Sequence, residues 1–149
     1  MTHFWIFLSI LDLFIDKVKT LKVGAPRDPH TVIGPLIRAS QCPFIAERIE
    51  SSKASGARVL CGATYEGNYF QPTVIADVTS SMPVFQEELF GPVASVIQAK
   101  NADDAIHLAN STRYGLTSAV ITNDLQLAMR CALELESGPR SHQLFHGSR

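Results

Sequence analysis

The chain has 149 residues, of which 46% are hydrophobic and 18% charged, a balance typical of a globular domain with one core. Its 13 Lys and Arg against 14 Asp and Glu leave a formal net charge of −1, so no basic face and no nucleic-acid partner are expected. The cysteines are widely spaced, at Cys42, Cys61 and Cys131. This spacing predicts reduced thiols, no metal site and a cytoplasmic or organelle-matrix location.

The first twelve residues are mostly apolar, and the apolar run closes at Asp12. A membrane-spanning helix needs about 20 apolar residues. A secretory signal needs a basic residue before its apolar run and a small-residue cleavage site after it. The run satisfies neither requirement, so no membrane partner is expected. We predict either the start of a buried helix or a leader that is foreign to the rest of the chain.

The first half of the chain predicts two helices and two short strands. Apolar residues recur at helical spacing at Leu11, Phe14, Val18 and Leu21. Gly24 and Pro26 end this first helix. A second helix is predicted over residues 43–54, where a proline in the first turn costs little. Strands are predicted over residues 58–61 and 72–78, on either side of a glycine-rich turn region.

The second half of the chain alternates strand and helix. A buried strand is predicted over residues 93–98, a further strand over residues 117–122, and helices over residues 101–110 and 125–136. This alternation is typical of α/β domains with parallel strands. No periodicity remains after that, and residues 139–149 are expected to form a disordered polar tail.

The most distinctive stretch is residues 86–93, Gln-Glu-Glu-Leu-Phe-Gly-Pro-Val. The carboxylate of Glu88 can accept hydrogen bonds from both hydroxyls of a ribose. The ring of Phe90, two residues further on, can lie flat against a heteroaromatic ring. Both are candidate cofactor-binding residues, although Phe90 is equally open to interpretation as a core aromatic. Glu87 is expected to be exposed.

This stretch resembles the cofactor-contacting motif of the aldehyde dehydrogenase superfamily, and further segments match that family in order. They lie at residues 17–24, 34–37 (Gly-Pro-Leu-Ile), 67–78, 109–110 with 114–116, and 135–138. The resemblance implies an α/β fold, a partial parallel sheet with flanking helices, of the aldehyde dehydrogenase catalytic-domain type and truncated. It divides the chain into a non-matching apolar leader at residues 1–12, a partial catalytic domain at 13–138 and a non-matching tail at 139–149.

The resemblance implies oxidation of an aldehyde substrate to a carboxylic acid with NAD or NADP as cofactor, in a homo-oligomer. Glu88 matches the glutamate that binds the nicotinamide ribose in this family, and Phe90 matches the aromatic near the nicotinamide. In this family, the nucleophilic cysteine precedes the helix that aligns with residues 13–22 of this chain. The family's general-base glutamate, oxyanion asparagine and dinucleotide-binding domain come earlier still. We therefore assign no catalytic residue and do not expect this chain alone to hold the cofactor.

These expectations lead to three interpretations of the isolated chain. The first is a fragment of an oxidoreductase without activity of its own. The second is a non-catalytic interaction protein that pairs with full-length dehydrogenase subunits through exposed sheet edges. The third is an incomplete gene product with no function.

Overall fold

The computed structural model describes residues 2–138 and 140–144, and the chain divides into two compact units, Met1–Gln98 and Ala99–Arg149. The first unit contains α1 (Thr2–Lys19), α2 (Gln41–Ala54), β1 (Arg58–Cys61), β2 (Tyr65–Glu66), β3 (Tyr69–Phe70), β4 (Thr73–Ala76), α3 (Pro83–Gln86) and β5 (Val93–Ser95). The second contains α4 (Ala102–Asn110), β6 (Ser118–Thr122), α5 (Leu125–Glu134) and β7 (Arg140–Leu144).

Helix α1 runs through the apolar start of the chain without a break at residue 12. Leu11 and Val18 are buried and pack with Val74 of β4, because residues seven apart lie on one face of a helix. The helix ends at Lys19, ahead of the predicted stop at Gly24. No helix in the described part of the chain is long and apolar enough to cross a membrane.

The sheet of the first unit has three strands in the order β1-β4-β5. Strand β4 is central and buried on both faces, since Val74 packs in the cluster that includes α1 and Ile75 packs in the cluster that includes α2. Strands β4 and β5 are parallel, in a register that pairs Thr73 with Val93. Strand β1 is antiparallel to β4. The predicted α/β fold with a partly parallel sheet is confirmed, and the sheet is mixed.

Helix α2 begins two residues earlier than predicted and ends where expected. Ile45 and Ile49 are fully buried in the larger hydrophobic cluster of this unit, together with Phe70 and Leu89. Phe70 comes from a short hairpin, β2–β3, inside the region predicted only as turns. The hairpin therefore adds a buried ring to the core that covers one face of the sheet.

The second unit contains two helices and a two-stranded sheet. Asn101 Oδ1 accepts a hydrogen bond from the amide of Asp104 over 2.9 Å and caps α4, and Asp124 caps α5 in the same way. Ile106 of α4 packs against Cys131 of α5 and the nearby Leu135. Both predicted helices are confirmed.

The disorder predicted after Gly138 is wrong for Arg140–Leu144, which forms β7 and pairs in parallel with β6. Backbone hydrogen bonds to a neighbouring strand need no side-chain periodicity, so the pattern gave no signal. Strand β5 is also shorter than predicted and only partly buried. Pro139 and residues 145–149 lie outside the described residues, and the division of the chain at residues 12 and 138 stays a prediction.

Candidate functional site

The candidate site centres on residues 87–91, called here loop 87–91, which joins α3 to β5. Along this loop buried and outward-facing residues alternate. Leu89 is buried in the cluster around α2, whereas Glu88 and Phe90 on either side of it are exposed. Leu89 is thus anchored inward, and its two neighbours in the chain are left on the solvent side of the loop.

Phe90 does not belong to the core, and that interpretation is wrong. Its side chain is 72% exposed, and its backbone has a φ of 47°, in the left-handed region that few non-glycine residues adopt. A strained backbone persists only where the surrounding structure holds it in place, and residues of this kind are common at ligand sites. The structure thus leaves Phe90 available for a ligand.

A groove of about 570 Å³ lies beside Phe90. It is lined by Pro35, Leu36, Ile37, Arg38, Gln41 and Phe90. The structure therefore joins two segments that the sequence singled out separately, residues 34–37 and 86–93. The amide of Leu36 donates to the carbonyl of Asn68 over 2.7 Å, and the Asn68 side chain donates back to the Leu36 carbonyl over 3.2 Å. This pair of hydrogen bonds holds one wall of the groove.

Arg38 and Gln41 were not predicted as site residues. Arg38 is exposed at the groove, and Gln41 donates from Nε2 to the carbonyl oxygen of Leu89 over 2.7 Å. They are the polar residues that follow the Gly-Pro-Leu-Ile segment. Their position next to that motif is the signal that identifies them.

Glu87 is half-buried, so its predicted exposure is wrong. Its Oε2 accepts a hydrogen bond from Arg48 Nε over 2.9 Å, and both side chains are partly shielded from solvent. The hydrogen bond with Glu87 is the largest reason why the pKa of Arg48 is raised above its ordinary value. The two residues are 39 positions apart in the chain, so no local pattern could pair them.

None of the three cysteines lines the groove. Cys42 is fully buried, and burial raises the pKa of its thiol, so the predicted burial is confirmed and its inertness stays a prediction. Cys131 is buried in the second unit, and Cys61 is half-buried with its Sγ 3.9 Å from the carbonyl oxygen of Pro72. Among the residues described here, no three His, Cys, Asp or Glu side chains group as a metal site would require.

The matching segments of the second unit have a structural role. Asn110 accepts a hydrogen bond from the amide of Glu136 over 2.9 Å and donates one to the carbonyl of Glu134 over 2.8 Å. The amide of Gly138 donates to the carbonyl of Gly115 over 2.8 Å. A Cβ at Gly115 would lie 2.9 Å from the carbonyl oxygen of Glu136, so the backbone approach requires glycine. These residues close the end of α5 against the turn after α4.

Known proteins resemble the chain over most of its length. The profile of the aldehyde dehydrogenase family matches residues 4–141. Succinate-semialdehyde dehydrogenase (NADP+) of Mycobacterium avium (strain 104) is 40% identical over 139 residues, which are 91% of this chain and 29% of the relative. The chain therefore spans under a third of the length of that relative.

Solved structures of the same class match the fold. Glyceraldehyde-3-phosphate dehydrogenase GapN from Methanocaldococcus jannaschii DSM 2661, complexed with NADP, superimposes with a TM-score of 0.85 at 32% identity, over 90% of this chain and 29% of that one. Betaine aldehyde dehydrogenase from Staphylococcus aureus, in complex with NAD+, gives a TM-score of 0.84 at 34% identity, over 94% and 29%. Its sequence and its fold together show that the chain belongs to the aldehyde dehydrogenase family.

Proposed function

We propose that this chain supplies one wall of the dinucleotide site of an aldehyde dehydrogenase catalytic domain, the wall that faces the nicotinamide end of NAD or NADP. The observation that carries the proposal is the exposure of Glu88 and Phe90 on either side of the buried Leu89. An ionised carboxylate accepts hydrogen bonds from both hydroxyls of a ribose, and an exposed aromatic ring offers a flat apolar face to a nicotinamide.

The residues around the groove fit this end of the cofactor. The lining is mostly apolar, and Arg38 and Gln41 supply its polar groups, as is usual where a ring with a polar substituent binds. A volume of about 570 Å³ falls within the range of about 300–1,000 Å³ that small-molecule sites occupy. The protein would orient the dinucleotide, and the dinucleotide, when bound, would provide the group that accepts the hydride. Glu88 and Phe90 are the residues that would orient the nicotinamide end of the dinucleotide.

We further propose that the chain does not oxidise aldehydes by itself. Covalent oxidation of an aldehyde requires a thiolate at the carbonyl carbon, and a nucleophilic cysteine is activated by a lowered pKa or an adjacent base. The three cysteines lie outside the groove. Cys42 directly follows the groove residue Gln41, but its side chain is fully buried and burial raises the pKa of its thiol.

The test of activity is aldehyde-dependent reduction of NAD+ or NADP+ by the purified chain, followed by absorbance of the reduced cofactor. Succinate semialdehyde is the first substrate to use, because the Mycobacterium avium relative is named for it. That relative serves as the positive control. We expect no reduction above background, and any aldehyde-dependent reduction by the chain alone would overturn the proposal of inactivity.

The test of the cofactor wall is the change of amide chemical shifts in the isotope-labelled chain on addition of NADH or NADPH at millimolar concentration. The chain alone is not expected to hold the cofactor stably, and a single wall gives only weak binding at these concentrations. We expect small changes, confined to loop 87–91 and the lining residues 35–41. Phe90→Ala and Glu88→Gln should reduce them, whereas Glu66→Gln, at an exposed acid on β2, should not. Changes that are equal in all variants, or no changes at all, would contradict the assignment.

A second function is favoured by exposed apolar side chains on α5. Leu125, Met129 and Leu133 are 60%, 57% and 77% exposed and recur every four residues, so they form one face of the helix. The opposite face, with Ala128 and Cys131, is the one that packs in the unit. Because the chain belongs to the aldehyde dehydrogenase family, the occupant that we propose for this face is a full-length aldehyde dehydrogenase subunit.

Co-expression with a full-length dehydrogenase, followed by affinity capture of the chain, tests this second function. We expect a complex that Leu133→Glu with Met129→Glu disrupts. Val32→Glu, at another exposed apolar residue in the first unit, should leave it intact. A chain that stays monomeric in the presence of the dehydrogenase would exclude pairing and would favour a product without a function of its own.

The three cysteines are free thiols. Thiols that remain reduced are typical of reducing compartments. We infer from them a cytoplasmic or organelle-matrix location, which fluorescence microscopy of the tagged chain would test.

A further inference from the structure

Helix α2 contacts loop 87–91 at three points along one face. Gln41, Ile45 and Arg48 are four and three residues apart and therefore share a side of the helix. Gln41 donates to the carbonyl of Leu89 over 2.7 Å, and Arg48 donates to the Glu87 carboxylate over 2.9 Å. A side chain at Gly91 would overlap Ile45 Cδ1, so the loop and the helix are in close contact there as well.

The contacted residues are the odd-numbered ones of the loop. Glu87, Leu89 and Gly91 meet α2, and the even-numbered residues between them, Glu88 and Phe90, are exposed to solvent. The contacts that Glu87, Leu89 and Gly91 make with α2 thus hold the backbone that carries the two candidate cofactor-binding side chains. Loss of a contact at one end of the loop would let the adjacent residue rotate.

The guanidinium of Arg48 is itself held in place. Its Cζ lies 4.6 Å from the centroid of the Phe44 ring, one turn earlier on α2, in the geometry of a cation–π contact. Its Nη1 lies 3.1 Å from Glu47 Oε1. A planar guanidinium fixed by a ring and two carboxylates presents Nε to Glu87 in one orientation.

We infer that Arg48 is a positioning residue, which holds Glu87 so that Glu88 and Phe90 keep the outward arrangement that binds a nicotinamide ribose. The identity of the ligand rests on the proposed function. Arg48 does not line the groove, whereas Gln41 does. Arg48 therefore has no direct contact with a ligand in the groove, and we expect its effect on such a ligand to pass through the loop. Substitution of Arg48 can thus test positioning apart from direct contact.

The experiment measures backbone amide order parameters of loop 87–91 in the whole chain, together with chemical-shift titration by NADH. The variants are Arg48→Ala, Glu87→Arg and the exchanged pair Arg48→Glu with Glu87→Arg. Arg130→Ala is the matched control, because Arg130 is also an ion-paired helical arginine, bonded to Glu134 and Asp103 in the second unit. Circular dichroism checks that each variant keeps its helix content.

Arg48→Ala should lower the order parameters at Glu88 and Phe90 from about 0.85, typical of rigid backbone, to below about 0.6. If the outward arrangement is then populated about one fifth of the time, the apparent Kd for NADH rises about fivefold. The exchanged pair should restore the order parameters and the Kd at least in part. It would restore neither if the Arg48 side chain only stabilised α2. Arg130→Ala should change neither value.

The order parameters test the positioning role of Arg48, and the NADH titration tests the proposed cofactor wall. Unchanged order parameters in Arg48→Ala would overturn the positioning role, whatever the chain binds. Lowered order parameters that the exchanged pair restores would support the positioning role. If the wild-type chain then shows no shift change with NADH, the loop is held by Arg48 but the proposed cofactor wall fails. A raised Kd in Arg48→Ala without a change in order would also overturn positioning, because it would indicate an effect that bypasses the loop.

Discussion

Gln41 Nε2 donates a hydrogen bond to the carbonyl oxygen of Leu89 over 2.7 Å, although the two residues are 48 positions apart. This partly buried bond fastens the first turn of α2 to the middle of loop 87–91. A backbone carbonyl in the middle of an irregular loop has no partner within secondary structure. The side chain of Gln41 therefore supplies the partner that lets Leu89 stay in the core.

Gln41→Ala should destabilise the chain by about 1 kcal/mol, because a partly buried carbonyl loses its only side-chain donor among the described residues. Urea denaturation measures the change in the free energy of unfolding. Gln126→Ala, at an exposed glutamine of α5, is the control and should change stability by less than about 0.5 kcal/mol. Equal effects of the two substitutions would show that the bond contributes nothing.

Gly91→Ala should cost about 1–3 kcal/mol, because the added Cβ overlaps Ile45 Cδ1 in a filled core. Ile45→Val removes that methyl group, so the double variant should be more stable than the sum of the two single changes predicts. Gly34→Ala is the control, since its Cβ would meet Pro26 Cγ at an ordinary 3.7 Å. Additive costs in the cycle would contradict the predicted overlap.

Asp28 should contribute an acid-sensitive part of the stability. Lys22, whose Nζ lies 2.6 Å from Asp28 Oδ2, is the largest cause of the lowered pKa of Asp28, followed by the backbone amide of His30. Because the folded pKa lies below the unfolded one, this contribution is present above about pH 3.9, the ordinary pKa of Asp, and is lost as the pH falls through the folded value. Urea midpoints measured against pH should show it.

Asp28→Asn removes this pH dependence if the carboxylate is its source. The variant should lose stability at neutral pH and differ less from the wild type in acid. Asp12→Asn, at an acid for which the structure gives no ion pair among the described residues, is the control. A constant difference between Asp28→Asn and the wild type at all pH values would contradict the linkage.

The thiols of Cys42 and Cys61 should differ in reactivity at neutral pH. Cys42 is fully buried and its pKa is raised by burial, whereas Cys61 is half-buried. Brief alkylation followed by mass spectrometry should therefore modify Cys61 before Cys42. In denaturant the difference should disappear, which checks that the folded structure causes it. Modification of Cys42 as fast as Cys61 in the folded chain would contradict its burial.

Local patterns predicted the elements whose stability comes from near neighbours. The bounds of β1 agree with the prediction, and α2, α4 and α5 agree to within two residues at each end. Caps, helical periodicity and β-branched runs act over a few positions. Strand β7 shows the limit of local patterns. It follows α5 in the chain and pairs through its backbone with β6, and this pairing leaves no pattern in its own side chains.

The sequence by itself determined the family, because the run around Glu88 and Phe90 is distinctive without any knowledge of its surroundings. It also supplied the prediction that these two residues contact a cofactor. Only the tertiary structure decided that Phe90 is exposed, that Glu87 pairs with Arg48 and that residues 35–41 share a groove with the loop. Burial and ion pairing depend on segments that are distant in the chain. A local motif therefore identifies residue types, and the packing of α2 against the loop decides which side chains reach solvent.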